Sequence, residues 1–164
     1  MLDMLIATAR ANVLPHLTAL AIAYALALPI GWDREQEDRS AGLRTFPLVA
    51  IACCGFVQAA EAKYGAHPDA MGKIVEGLIT GFGFIGGGAI LKQGSSVKGT
   101  ATAASLWATG AIGTAVGLGA YGVAAMVAVF TVVTLKWLTP LKAEAREDGE
   151  QAAPGRAGPS KPQS

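Results

Sequence analysis

Charge is what this sequence has least of. Asp, Glu, Lys and Arg make up 15% of its 164 residues, against about 25% in an ordinary soluble domain. Thirteen basic and twelve acidic residues leave a net charge of +1, so there is no basic field to hold nucleic acid. Cysteine occurs only as the adjacent pair Cys53 and Cys54, which excludes a disulfide framework and a zinc spacing. Histidine is limited to His16 and His67. No nucleophile stands beside a base, so the chain is read as non-enzymatic and without a cofactor. What abounds is apolar residues, at 52%, and glycine, with 21 positions; mean hydropathy is +0.41.

The charge-free runs say more than the averages. No charge occurs between Arg10 and Asp33, Arg44 and Glu61, Glu76 and Lys92, or Lys98 and Lys136. A membrane helix needs about 20 mostly apolar residues. The first run fits one span, and the last is close to two, with Gly117, Gly119 and Gly122 where a hairpin would fold it. The reading is all-α: a polytopic membrane protein with five helices over 13–32, 44–60, 71–91, 100–118 and 121–138. Trp32 and Trp137 are plausible interface anchors. A soluble bundle would need polar faces at helical spacing, and 99–135 offers only scattered Ser and Thr. Ala25-Leu26-Ala27 looks like a signal cleavage site, yet apolar spans follow it, so the first helix is read as uncleaved.

Lys and Arg set the orientation. Five spans put Arg34, Arg39, Arg44, Lys92, Lys98 and the basic residues from Lys136 onward on one side, with only Arg10, Lys63 and Lys73 opposite. The N-terminus is therefore expected outside and the C-terminus in the cytoplasm. Residues 1–141 form the transmembrane domain, and 142–164, polar and rich in Pro, Gly and Ser, are expected to be a disordered cytoplasmic tail.

Gly81-Phe82-Gly83-Phe84-Ile85-Gly86 matches G-x-G-x-x-G. A dinucleotide site would also need an acid about 20 residues on, and no Asp or Glu occurs between Glu76 and Glu144. Close helix packing is the better reading: Gly77-x-x-x-Gly81 and Gly83-x-x-x-Gly87 on helix three, and Gly110, Gly113 and Gly117 on one face of helix four. A sharper reading has Gly86-Gly87-Gly88 break helix three and turn free carbonyls toward an ion.

The charged residues divide three ways. Asp33-Arg34-Glu35-Gln36-Glu37-Asp38-Arg39 reads as a solvated loop, with Asp33 free to pair with Arg44 or hold a hydrated magnesium ion. Thr45, just before Phe46-Pro47, reads as a helix cap, and Arg44 as an interface anchor. Glu76 is the acid inside a span, three residues after Lys73, so it pairs, snorkels or handles a cation.

Gly31-Trp32-Asp33-Arg34-Glu35, Ala41-Gly42-Leu43-Arg44-Thr45, Gly81 to Ile90 and Thr102-Ala103-Ala104-Ser105-Leu106-Trp107 together resemble the successive signatures of the MgtC/SapB family over residues 17–135. The resemblance implies a bacterial inner-membrane protein of about five helices, linked to magnesium homeostasis and to virulence, whose best-studied kind regulates the membrane sector of the ATP synthase. It also implies roles for Asp33, Arg34, Arg44, the helix-three glycines, Thr102 and Trp107. Three departures stand out: Asp33 where Glu is usual, Ala101 where a polar residue is usual, and Ala108 where virulence-type members have Cys. Only a polar tail follows the last span, where those members carry a folded domain. The function expected is regulation through helix–helix contacts with a membrane partner or a second copy, in contact with membrane lipid. The alternatives are a small magnesium channel or transporter, with Asp33, Arg44 and Glu76 along a polar path, and a structural membrane subunit.

Overall fold

The computed structural model describes residues 2–37, 41–65, 67–93 and 96–151, with side chains over 13–37, 41–65, 67–90 and 97–137. Five helices and one small hairpin follow in order: α1 Leu2–Gln36, α2 Thr45–Tyr64, α3 Pro68–Gly88, β1 Leu91–Gln93, β2 Ser96–Lys98, α4 Thr100–Gly117 and α5 Tyr121–Gln151. The all-helical architecture agrees with the sequence, and four of the expected boundaries fall within one or two residues. Pro68 in the first turn and Asp69 beside it start α3: the proline has no N–H to leave unpaired, and the acid faces the positive end of the helix dipole. Gly119, with φ of +74°, turns α4 into α5 at the expected place.

The departures have local causes. α1 does not stop at residue 32 but runs to Gln36, so Asp33, Arg34 and Glu35 belong to its last turn and not to a loop. Pro15 and Pro29 lie inside α1, where each removes one helical hydrogen bond without ending the helix. The segment between α3 and α4 is an antiparallel hairpin pairing Leu91 with Lys98 and Gln93 with Ser96. It meets α4 at Gly99, whose φ of +87° favours glycine. α5 is helical to Gln151, ten residues into the expected tail; 152–164, and Asp38, Arg39 and Ser40, lie outside the described residues.

Helix α4 is the hub, packing against each of the other four helices. Around it the inward side chains are mostly small: Ala19, Ala23 and Ala27 of α1, Ala50, Cys53 and Cys54 of α2, Ala124 and Ala128 of α5. Such stripes let helix backbones approach closely, which is how helices associate where no water drives them together. Ile30, Phe46, Val57 and Ile112 fill the centre, but many of the large apolar side chains lie outside. Phe84 is 87% exposed, Trp137 73% and Phe130 70%, and Val13, Leu14, Leu17, Trp32, Leu48 and Phe56 are also exposed. Among the described residues, Val13–Gln36 and Thr45–Tyr64 are long and apolar enough to cross a membrane, and Tyr121–Trp137 is a shorter apolar helix.

Candidate functional site

The polar residues singled out in the sequence gather where α1 hands over to α2. Arg34 is 2% exposed, and its guanidinium closes on Asp33: Nη2 donates to Oδ2 at 2.5 Å and Nε to the same oxygen at 3.1 Å. Neighbours in a helix point to different sides, so only the reach of the Arg side chain makes this pair. A buried guanidinium needs a counter-charge, and Asp33 supplies it. The expected Asp33–Arg44 pairing is therefore not found. Arg44 is exposed at the N-cap position of α2, and the Asp33 carboxylate is committed to its neighbour. Among the described residues, no three His, Cys, Asp or Glu side chains converge as metal ligands.

Glu35 does a second job at this corner. Its Oε2 accepts the Leu43 N–H at 3.0 Å, across eight residues, and fastens the start of α2 to the end of α1. Gly42 lies so tightly against that carboxylate that any Cβ would collide with it, and a Cβ on Gly31 would sit 3.2 Å from Leu43 Cα. Two glycines thus let the chain cross its own helix at bare-backbone distance. Thr45 does not cap α2. The cap carries no side-chain hydrogen bond, and the Thr45 and Phe46 amides donate to the Gly42 carbonyl instead.

On α4 the expected glycines divide the work by neighbour. A Cβ on Gly113 would strike the Ala50 carbonyl, one on Gly117 would meet Val57, and one on Gly110 would enter the Phe82 ring. Gly86 of α3 meets the Ala103 carbonyl at ordinary contact distance. These contacts fix the directions: α2 runs parallel to α4, and α3 antiparallel to it. Thr102, Ser105 and Thr109 are buried on one face of α4. The Ser105 and Thr109 hydroxyls donate to the carbonyls of Ala101 and Ser105, four residues back in each case. Trp107 faces the other way, half exposed, beside a cavity of about 290 Å³ shared with Ile79 and Phe82.

Helix α3 breaks with expectation in two ways. It is not interrupted at Gly86-Gly87-Gly88 but is helical to Gly88, and the Ala89 and Ile90 amides donate to the Gly86 and Gly87 carbonyls. Those oxygens are already accepting, so a break that frees carbonyls for an ion is not what this helix does. Second, a Cβ on Gly77, Gly81, Gly83, Gly87 or Gly88 would have open space, and Gly77 and Gly81 line a groove shared with Leu48, Ala52 and Phe56 of α2. Only Phe82 and Gly86 of α3 are buried. Lys73 and Glu76 are exposed, and no ion pair joins them among the described residues.

The corner brings Asp33, Arg34, Glu35, Arg44 and Thr45 together. Reading register through the Gly31–Leu43 and Gly113–Ala50 contacts puts Thr102 at the same level. Glu76 is excluded from this group. The Gly110–Phe82 contact sets it near the far end of α4, about 20 Å along the axis at about 1.5 Å per residue. It therefore does not share a site with Asp33 and Arg44. Sequence reading missed the Gly31–Gly42 crossing, the buried Ser105 and Thr109, and the Ala19-Ala23-Ala27-Gly31 stripe. The four-residue spacing of that stripe was the available signal.

A model of the MgtC family matches residues 20–144, which takes in the corner, α2 to α4 and most of α5. The chain is 38% identical over 125 residues to an uncharacterized protein of Synechocystis sp., an alignment covering 76% of this chain and 53% of the other. It is 37% identical over 112 residues to protein MgtC of Salmonella typhimurium, covering 68% and 47%, and 37% identical over 129 residues to protein MgtC of Brucella abortus, covering 78% and 53%. The chain spans about half the length of these curated relatives. No solved structure matches it.

Proposed function

The chain belongs to the MgtC family, and from that premise we propose that it is a multi-pass protein of the bacterial inner membrane that regulates a membrane partner through helix–helix contacts and catalyses no reaction. All five helices cross the bilayer in this reading, with the N-terminus outside and the C-terminus in the cytoplasm. The observation that carries it is the apolar surface the bundle turns outward: alanine stripes let the helices close up while Phe56, Phe84, Phe130 and Trp137 point out. In water an apolar surface of this extent would drive aggregation; in hydrocarbon it is the solvated side. Among the described residues α3 and α4 fall short of the hydropathy of α1 and α2; Lys73 and Glu76 lower it in α3, and both helices are rich in glycine, alanine and threonine, the composition that close helix packing requires.

The regulatory role is favoured over ion transport by what the charged groups are doing. Asp33 neutralises Arg34, Glu35 holds Leu43, and Glu76 is remote from both, so among the described residues there is no continuous row of acids. The link to magnesium homeostasis and virulence, and the membrane sector of the ATP synthase as partner, come from the family resemblance. The test is reconstitution. Vesicles containing the purified chain should show no magnesium flux above empty vesicles, while crosslinking in native membranes should capture a membrane protein that a Gly81→Leu variant releases. Robust flux lost in Asp33→Asn would replace the regulator with a transporter.

A further inference from the structure

Between α2 and α3 the bundle leaves an open groove of about 510 Å³. Leu48, Ala52 and Phe56 of α2 form one wall, and Gly77, Gly81 and Ile85 of α3 the other. The groove exists because side chains are missing: a Cβ on either glycine would meet nothing, and Ala52 adds only a methyl. Along α2 it runs from Thr45 to Phe56, about 16 Å at about 1.5 Å per residue. That is close to half of a hydrocarbon core of about 30 Å, the depth of one leaflet. An unfilled slot forfeits contacts along both walls, and a flexible hydrocarbon chain has the shape to fill it.

The charge at one end of the groove is a separate observation. Arg44 precedes α2 with helical backbone angles, φ −87° and ψ −42°, so it continues the register of α2 and falls one turn before Leu48 on the same face. It is exposed, and among the described residues no ion pair engages it. Two acids of the corner are already committed: Asp33 closes on Arg34, and Glu35 accepts the Leu43 amide. At the other end Lys73, one turn before Gly77, has Glu76 beside it to offset its charge. The groove is thus apolar along its length, with an uncompensated cation at the end that the Lys and Arg distribution assigns to the cytoplasm. A guanidinium grips a phosphate through parallel N–H bonds, and basic pockets between membrane helices on the cytoplasmic side bind phospholipid head groups. A partner helix laid in the slot would have to bring its own acid for Arg44; a phospholipid carries chain and anion together.

We infer that a glycerophospholipid of the cytoplasmic leaflet occupies this groove, one acyl chain lying between α2 and α3 and its phosphate held by Arg44. The inference rests on the reading that α2 and α3 cross the bilayer with Arg44 on the cytoplasmic side. A partner released by Gly81→Leu then meets α3 together with this lipid. The full-length chain, reconstituted in phosphatidylethanolamine and phosphatidylglycerol bilayers and extracted in detergent, can be weighed intact by native mass spectrometry. The wild type should retain one phospholipid per chain. Arg44→Gln, which removes one charge-assisted contact, should lower the retained fraction about tenfold, and Ala52→Phe, which fills the slot, should do the same. Lys98→Gln, at an exposed cation of the hairpin at the same end, should leave retention unchanged. The Arg44 and Ala52 side chains are exposed, so circular dichroism of each variant should match the wild type. A wild type that carries only detergent, a free fatty acid or a second copy without lipid overturns the inference. So does retention that survives Arg44→Gln or Ala52→Phe, or that falls equally in Lys98→Gln. None of these outcomes touches the regulator reading, which falls instead on magnesium flux, or the membrane reading, which falls if the chain stays monodisperse without detergent.

Discussion

Arg34 and Asp33 differ from the surface charges in how little water reaches them, and that decides what a substitution does. Removing one member of a buried ion pair strands the other, at a cost of about 3–5 kcal/mol, whereas exposed pairs are worth about 1 kcal/mol or less. Asp33→Asn should therefore lower the unfolding midpoint of the detergent-solubilised protein substantially, and Asp33→Asn with Arg34→Met should recover most of the loss. An Asp33→Asn protein that melts with the wild type would mean that the pair holds nothing. Gly113 makes a steric counterpart. Its missing Cβ is the space taken by the Ala50 carbonyl, and backbone cannot swing aside as a side chain can. Gly113→Val should destabilise by about 3 kcal/mol, the upper end for overpacking, by separating α2 from α4. The sequence displayed Gly113 as a packing glycine but gave no hint of its neighbour. For Asp33 it suggested a distant partner, Arg44, because the helix end could not be placed beyond Trp32.

At the scale of elements, the helices divide into a held set and a loose one. α4 buries ten residues against its neighbours and α3 only two. Segments with few buried contacts open first, so amides of α3 should exchange before those of α4, and equal protection would refute this ranking. One side chain holds α3 down: the Phe82 ring occupies the niche left by Gly110. Phe82→Ala should cost about 3–5 kcal/mol, while Gly77→Ala, whose methyl meets nothing within 4 Å, should stabilise the protein by about 1 kcal/mol through propensity alone. Helices were legible because charge-free runs bounded by charges reveal their number and rough ends. The hairpin over 91–98 was not legible: three-residue strands are too short for a period-two pattern. Nor could the sequence say which glycines face inward, because glycine spacing is the same whether the partner belongs to the same chain or another.

At the scale of the whole molecule, the antiparallel order of α1, α2, α3 and α4 puts the Asp33–Arg44 corner, the hairpin and the start of α4 at one end of the bundle, and the α2–α3 turn with Tyr64 and His67 at the other. The distribution of Lys and Arg assigns the first end to the cytoplasm, and the two exposed tryptophans Trp32 and Trp137 fall toward it. Val97 in the hairpin and Asp69 at the start of α3 are both exposed and stand at opposite ends. In a background where Cys53 and Cys54 are replaced by serine or alanine, Val97→Cys should react with a membrane-impermeant maleimide only in inverted vesicles, and Asp69→Cys only in intact spheroplasts. The reverse pattern would turn the protein over in the membrane and move the corner away from any cytoplasmic contact. Labelling of both sites from one side would mean an even number of crossings between Asp69 and Val97, which takes α3 out of the bilayer and removes the membrane helix-packing role given to its glycines. Labelling from opposite sides fixes α3 as a span, and the order of contacts along α4 then carries the neighbouring helices α2 and α4 across with it.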